Sequence, residues 1–217
     1  MNGDPVGHVE IFEIMFTGIV EAIGTVESVQ GHRISIRTPW DQNEIAPGQS
    51  IAVQGCCLTV VDIQNHSLSF DLSDETFSKT IFSSLQPNQT LNLERAMEMG
   101  KRFDGHMVSG HVDTIAKIKK ITPAQDGSST TFEIGSLKQH ITHFVPKGSV
   151  AINGVSLTVN EVTEDGFTVC IIPYTMSHTI FSNLKEGDSV NIEFDMIAKF
   201  FTRYLENHQQ YQKGKHA

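Results

Sequence analysis

Cysteine is scarce: Cys56, Cys57 and Cys170 are the only three in 217 residues. That number is odd and too sparse for the disulfide framework of a small secreted domain, so a reducing, cytoplasmic setting is expected. Positive charge is also short. With 16 Lys and Arg against 25 Asp and Glu the formal charge is -9, which disfavours a phosphate backbone or an anionic bilayer, so neither nucleic acid nor membrane is expected as a partner. No apolar run approaches the roughly 18 to 20 residues that span a bilayer. No Gly-rich loop opens a helix, and none of the ten histidines stands at a ligand spacing from the cysteines. His106 and His111, five apart, do not make a metal motif, and no metal is expected. The composition, 39% hydrophobic and 19% charged, excludes a disordered chain.

What the sequence does contain is an internal repeat. Pro47, Ser50, Ala52, Gly55 and Leu58-Thr59-Val60 recur as Pro146, Ser149, Ala151, Gly154 and Leu157-Thr158-Val159, always 99 positions on. Without a gap, Thr76, Ser78, Thr80-Ile81-Phe82-Ser83, Leu85, Asn92 and Glu94 then match Thr175, Ser177, Thr179-Ile180-Phe181-Ser182, Leu184, Asn191 and Glu193. Across this stretch 16 of 48 aligned positions are identical. Gly18 and Val20 align with Gly110 and Val112, which places the start of the second copy near Met107 and divides the chain into residues 15–104 and 105–194. Residues 1–14 hold three acids and no Lys or Arg, the reverse of a targeting peptide, and are expected to be a leader ahead of Met15.

Each copy reads as short strands. Ser50 to Val53 and Leu58 to Ile63 are rich in β-branched residues on either side of Gln54-Gly55, and Ser67 to Leu72 alternates with period two. Helical periodicity is absent there. The expectation is an all-β protein: two homologous six-stranded antiparallel barrels, closed to remove exposed edges. The tail differs. After Asp195, a candidate N-cap, Ile197, Phe200, Phe201, Tyr204 and Leu205 fall on one face of an amphipathic helix. That face needs a cover, either its own barrel or sister chains. Residues 195–217 are therefore a helix and tail, with His208 onward expected to fray.

Three segments combine turn glycines with hydroxyls, thiols and histidine: Met15 to Val20, Gly55 to Val60 and Gly105 to Asp113. At these residues, and at Gly154-Val155-Ser156-Leu157-Thr158-Val159, the chain closely resembles the riboflavin synthase family, over Met15 to about Leu205. The resemblance implies two Greek-key barrels with a C-terminal helix, a homotrimer joined through that helix, and dismutation of two molecules of 6,7-dimethyl-8-ribityllumazine. One molecule gives a four-carbon unit to the other, yielding riboflavin and 5-amino-6-ribitylamino-pyrimidinedione without cofactor or metal. Association with lumazine synthase is left open.

The reaction needs two copies of one ligand held face to face, an orientation problem for which a duplicated binding domain is a direct solution. By the resemblance, Gly18, Ile19, Val20, Cys57, Leu58, Thr59 and the run Asp71, Leu72, Ser73, Asp74, Glu75, Thr76 form an N-terminal pocket that Phe16 and Thr17 close. Gly110, His111, Val112, Lys147, Ser156, Leu157, Thr158 and the run Ile171, Ile172, Pro173, Tyr174, Thr175, Met176 form a C-terminal one. Ser156 and Thr158 would handle the proton and oxyanion, His111 would serve as general acid/base, Cys57 as nucleophile or polar contact, and Asp195 would pair with the serine or merely cap the helix. The family often carries Asn and Asp where this chain has Gln54 and Asn153. Two alternatives are a non-catalytic lumazine- or flavin-binding relative with the same barrels and a flavin-binding barrel detached from a reductase, though no nucleotide domain accompanies it.

Overall fold

The computed structural model describes residues 16–98 and 100–214; residues 1–14, expected to be a leader, lie outside them. The first barrel contains β1 (Ala22–Gln30), β2 (Arg33–Arg37), β3 (Ser50–Val53), β4 (Cys56–Gln64), β5 (Ser67–Asp71) and β6 (Thr90–Arg95). They close in the order β1-β2-β5-β4-β3-β6. The second contains β7 (Thr114–Pro123), β8 (Thr130–Gly135), β9 (Ser149–Ile152), β10 (Val155–Val162), β11 (Phe167–Ile171) and β12 (Ser189–Phe194). Its order is β10-β11-β8-β7-β12-β9, and both barrels are antiparallel throughout.

The period-two pattern decides which side chains point inward. In β2, Ile34 and Ile36 face the core while Arg33 and Arg37 face solvent. Phe70, Phe82, Leu91 and Leu93 fill the rest of the first barrel; Phe132, Phe167, Phe181 and Ile192 fill the second. Phe82 and Phe181 are repeat partners, so duplication preserved the core as well as the strands.

Between β5 and β6 lies a short helix α1 (Asp74–Lys79), and between β11 and β12 its counterpart α2 (Pro173–His178). Neither is evident from apolar periodicity, because each is about one and a half turns long. Their signals are local. Ser73 caps α1, its hydroxyl accepting the Thr76 N–H at 3.0 Å, and Pro173 occupies the first turn of α2.

The barrels meet on a pseudo-twofold axis. The β3–β4 and β9–β10 hairpins turn on two residues, Gln54-Gly55 and Asn153-Gly154, all four at positive φ, as a type I′ turn requires. The turns lie back to back: a Cβ on Gly55 would stand 2.6 Å from the Gly154 nitrogen, and one on Gly154 2.7 Å from the Gly55 nitrogen. Asn92 and Asn191 cross between the halves. Asn92 Oδ1 accepts the Ile180 N–H (2.9 Å) and its Nδ2 donates to the Asn153 carbonyl (2.9 Å). Asn191 does the same with Ile81 (2.9 Å) and Gln54 (3.0 Å). At the two departures from the family pattern, Gln54 Oε1 accepts the Asn92 N–H and Asn153 Oδ1 the Asn191 N–H, while Asn153 Nδ2 is buried with no partner among the described residues. Each side chain thereby holds, within its own barrel, the asparagine that crosses to the other.

Helix α3 (Met196–Gly214) follows β12. Asp195 caps it, Oδ1 accepting the Ile197 N–H at 2.8 Å. The helix runs past His208, where fraying was expected, because Glu206, Gln209, Gln210, Gln212 and Lys213 are good helix formers. Its first turn is tied to the segment ahead of β7, Lys199 Nζ lying 2.6 Å from Asp113 Oδ2. Met196 is buried, but Ile197, Phe201, Tyr204 and Leu205 are each more than half exposed. None of the described helices is long and apolar enough to cross a membrane.

Candidate functional site

Two extended segments run between the barrels: residues 16–20 ahead of β1 and residues 105–113 ahead of β7. They pair with each other. Phe16 and Val108 exchange backbone hydrogen bonds (3.0 and 3.2 Å), and the His106 N–H donates to the Thr17 carbonyl (3.1 Å). Phe16, fully buried, packs with Val108, Ala52 and Ala151 in a small apolar cluster. Its ring is therefore part of the interbarrel core and does not close a pocket.

Each segment is clamped by a carboxylate of its own barrel. The Thr17 N–H and hydroxyl donate to Oε1 of Glu94, on β6, at 2.7 and 2.9 Å, and the Gly18 N–H to Oε2 at 3.0 Å. Glu193, on β12, repeats the arrangement with the Ser109 N–H and hydroxyl and the Gly110 N–H, at 2.7, 2.8 and 3.0 Å. Burial pushes both carboxyls up to about 7 against the pull of these donors. Each segment then crosses over. The Gly18 carbonyl accepts the Ser156 N–H of β10, and the Gly110 carbonyl accepts the Cys57 N–H of β4, both at 2.8 Å. Both glycines are at positive φ with no room for a side chain: a Cβ on Gly18 would stand 2.6 Å from Ser156 Cβ, and one on Gly110 2.5 Å from Cys57 Cβ.

The crossing exchanges the expected groupings. Gly18, Ile19 and Val20 lie with Ser156, not with Cys57, and Val20 packs against the second barrel's core. Gly110, His111 and Val112 lie with Cys57, not with Ser156, and Val112 packs against the first barrel's core. Repeat alignment alone assigns each segment to the barrel that follows it in sequence, whereas the Phe16–Val108 pairing carries each to the other barrel.

A cleft of about 400 Å³ opens at Cys57, lined by Cys56, Glu75, Thr76, Lys79, Thr80, Gly110, His111, Val112 and Asp113. Of the run 71–76, Glu75 and Thr76 face it. Asp71 is instead on the outer surface in a bidentate ion pair with Arg33, Asp74 lies 3.1 Å from His32, Ser73 caps α1, and Leu72 and Leu58 are buried in the core. Thr59 is exposed on β4. Burial raises the Cys57 thiol above its usual value and pushes Cys56 up to about 12. A thiol held protonated suits a polar contact better than a thiolate nucleophile.

On the other side, Ser156 and Leu157 are half-buried and Thr158 exposed, with Thr175 and Met176 half-buried at α2. Ile172, Pro173 and Tyr174 are exposed, Ile171 is core, and Lys147 is an exposed turn residue with φ +68°. The partner of Ser156 is unexpected. His106 Nδ1 sits 2.7 Å from Ser156 Oγ, whereas Asp195 caps α3. Burial holds the His106 imidazole below its usual value, opposed by the Asp195 charge. The other ring nitrogen, Nε2, is buried with no hydrogen-bond partner among the described residues. In the sequence His106 has no metal-binding spacing, and its position in Gly105-His106, beside the Ser109-Gly110 turn, is its only signal. Glu94 and Glu193 also went unassigned, although an identical acid at the same place in two barrel strands marks a buried, bonded charge.

A family model for the lumazine binding domain matches residues 17–96 and 109–195. The riboflavin synthase of Bacillus subtilis (strain 168) is 41% identical over 196 residues, covering 88% of this chain and 90% of that protein. That of Schizosaccharomyces pombe is 36% identical over 200 residues, covering 89% and 95%. Among solved structures, LumP complexed with riboflavin superposes with a TM-score of 0.74 at 25% identity, covering 83% of this chain and 99% of that one. LumP complexed with 6,7-dimethyl-8-(1'-D-ribityl) lumazine, at 24% identity and a TM-score of 0.71, supports the fold alone. Two lumazine-binding domains in tandem, matched over most of their length by these enzymes, place the chain in the riboflavin synthase family.

Proposed function

We propose that the chain converts two molecules of 6,7-dimethyl-8-ribityllumazine into riboflavin and 5-amino-6-ribitylamino-pyrimidinedione. The observation that carries this reading is the pair of quasi-equivalent, crosswise-built sites, one at Cys57 with Gly110, His111 and Val112, the other at Ser156 with Gly18, Ile19 and Val20. A reaction between two identical substrates needs two related pockets, and unlike roles for the substrates need them to differ. Cys57 opposite Ser156 in the repeat supplies that difference.

Neutral hydrogen-bonding groups and backbone amides suit a ribityl chain and a pyrimidine edge. For the chemistry, the C7 methyl of one lumazine must lose a proton. His106, kept neutral by burial and 2.7 Å from Ser156 Oγ, can accept a proton relayed through that hydroxyl. The Ser156 hydroxyl or Thr158 then faces the developing anion, while His111 and the Cys57 thiol offer polar contacts to the second lumazine. The half-exposed Ile197, Phe201, Tyr204 and Leu205 side of α3 supports assembly as a homotrimer, and the scarcity of cysteine fits a cytoplasmic enzyme. Incubating the purified protein with the lumazine should produce the riboflavin absorption band without added cofactor. Tight binding with no turnover would mark it as a binding protein instead.

A further inference from the structure

We infer that Glu94 and Glu193 are positioning residues that set the two lumazine sites separately and crosswise: Glu94, in the first barrel, sets the site at Ser156 of the second, and Glu193, in the second, sets the site at Cys57 of the first. The inference rests on the functional reading above and extends it to residues that touch no substrate.

The geometry is specific. Both oxygens of each carboxylate are engaged, one by a backbone N–H and a hydroxyl, the other by the next backbone N–H. A backbone N–H only donates, so both oxygens must accept; a carboxylate meets that demand and an amide cannot, because one of its ends also donates. An aspartate would be one methylene short. The clamp acts on the two residues immediately before the substrate-facing stretch: Thr17-Gly18 precede Ile19-Val20, and Ser109-Gly110 precede His111-Val112. The far side of the same glycine is fixed by the 2.8 Å bond to Ser156 or Cys57, with no space for even a methyl group. The segment is thus held between a carboxylate of one barrel and the site strand of the other. When the carboxylate is replaced, the stretch lining the pocket moves relative to Ser156 or Cys57, while the barrel contributing the carboxylate keeps its own site strand.

That crosswise dependence separates positioning from simple loss of stability. Cys57 reports on its own site. In the unaltered protein at about pH 9, where enough of the raised Cys57 thiol ionises to react, bound 6,7-dimethyl-8-ribityllumazine should protect Cys57 from alkylation by iodoacetamide, read by fragment-ion mass spectrometry so that Cys56 and Cys170 are resolved separately. The lumazine concentration giving half-protection measures occupancy of that site. Glu193→Gln should raise it about tenfold, the usual consequence of losing a hydrogen bond to a buried charge, although the residue belongs to the other barrel. Glu94→Gln, in the same barrel as Cys57, should leave it within about twofold. Equal shifts in the two variants, or a shift with Glu94→Gln alone, would overturn the inference. Should Glu193→Gln fail to fold, Ser109→Ala removes the hydroxyl that donates to Glu193 at 2.8 Å and accepts the His111 N–H at 3.3 Å, and should move half-protection in the same direction, by about threefold; no movement would count against the clamp. Absence of protection in the unaltered protein would instead overturn the placement of a lumazine at Cys57, and with it the reading on which this inference rests.

Discussion

His106 Nδ1 and Ser156 Oγ are 2.7 Å apart although 50 residues separate them. The contact exists because the segment ahead of β7 pairs with the one ahead of β1, so that His106 is delivered to the second barrel's β10. An imidazole whose pKa is lowered by burial and which is bonded to a hydroxyl is equipped to take a proton.

Replacing His106 with Asn should lower kcat by about 10² to 10⁴-fold with KM changed only a few-fold, the span general-base catalysis contributes. Because burial lowers the His106 pKa, the neutral, proton-accepting form persists to a pH somewhat below 6.5 and is lost as pH falls through the folded-state value. The acid limb of kcat/KM should lie there and disappear in the variant.

Ser156→Ala should reduce turnover far more than lumazine affinity, since the hydroxyl serves the transition state. Single-turnover kinetics together with equilibrium binding would separate the two. An unchanged turnover number would remove Ser156 from the proton path.

The interface between barrels should be as sensitive on one side as on the other. Asn191→Ala leaves the buried Ile81 N–H and Gln54 carbonyl without their partner, and Asn92→Ala does the same to Ile180 and Asn153. Each should cost about 2 to 4 kcal/mol, measured by urea denaturation. Gly154→Ala, blocked by the Gly55 backbone at 2.7 Å as well as by positive φ, should cost more than about 2 kcal/mol. Gly48→Ala, at φ +93° with nothing within 4 Å among the described residues, should cost only about 1 kcal/mol.

Stability should fall as pH rises from about 4.5 to 7. Glu94 and Glu193 have folded-state values raised from 4.5 to about 7. The folded chain therefore binds protons there that the unfolded chain does not, and the stability these groups contribute is present in full below 4.5 and lost as pH rises through about 7. A loss on the order of 2 kcal/mol is expected in the urea-derived free energy, and Glu94→Gln with Glu193→Gln should flatten it.

If the proposed trimer is joined through the exposed side of α3, truncation after Asp195 should leave a monomer with intact barrels. Sedimentation at three times the chain mass after truncation would place any contact between copies elsewhere.

The fold was legible because duplication writes each core position twice: Phe82 with Phe181 and Ala52 with Ala151 stand out at a 99-residue spacing before any strand is assigned. The site was legible only by residue. Cys57, Ser156, Gly18 and Gly110 were marked by motif, yet their partners were crossed, since sequence order says nothing about a backbone pairing such as Phe16 with Val108. His106 was missed because its partner is a single hydroxyl contributed from afar, a relation without periodicity or spacing. α1 and α2 escaped for a different reason: helices of six residues leave caps, not faces.

The paired asparagines have a wider consequence. Asn92 reaches for Ile180 and Asn153 as Asn191 reaches for Ile81 and Gln54, and the two hairpin tips touch glycine to glycine. The halves therefore meet as the subunits of an isologous dimer do, each patch recognising its own copy. Covalent fusion of such a pair fixes a one-to-one ratio of the halves and frees them to diverge, so that one pocket can keep a thiol where the other has a hydroxyl without either losing the surface that joins them.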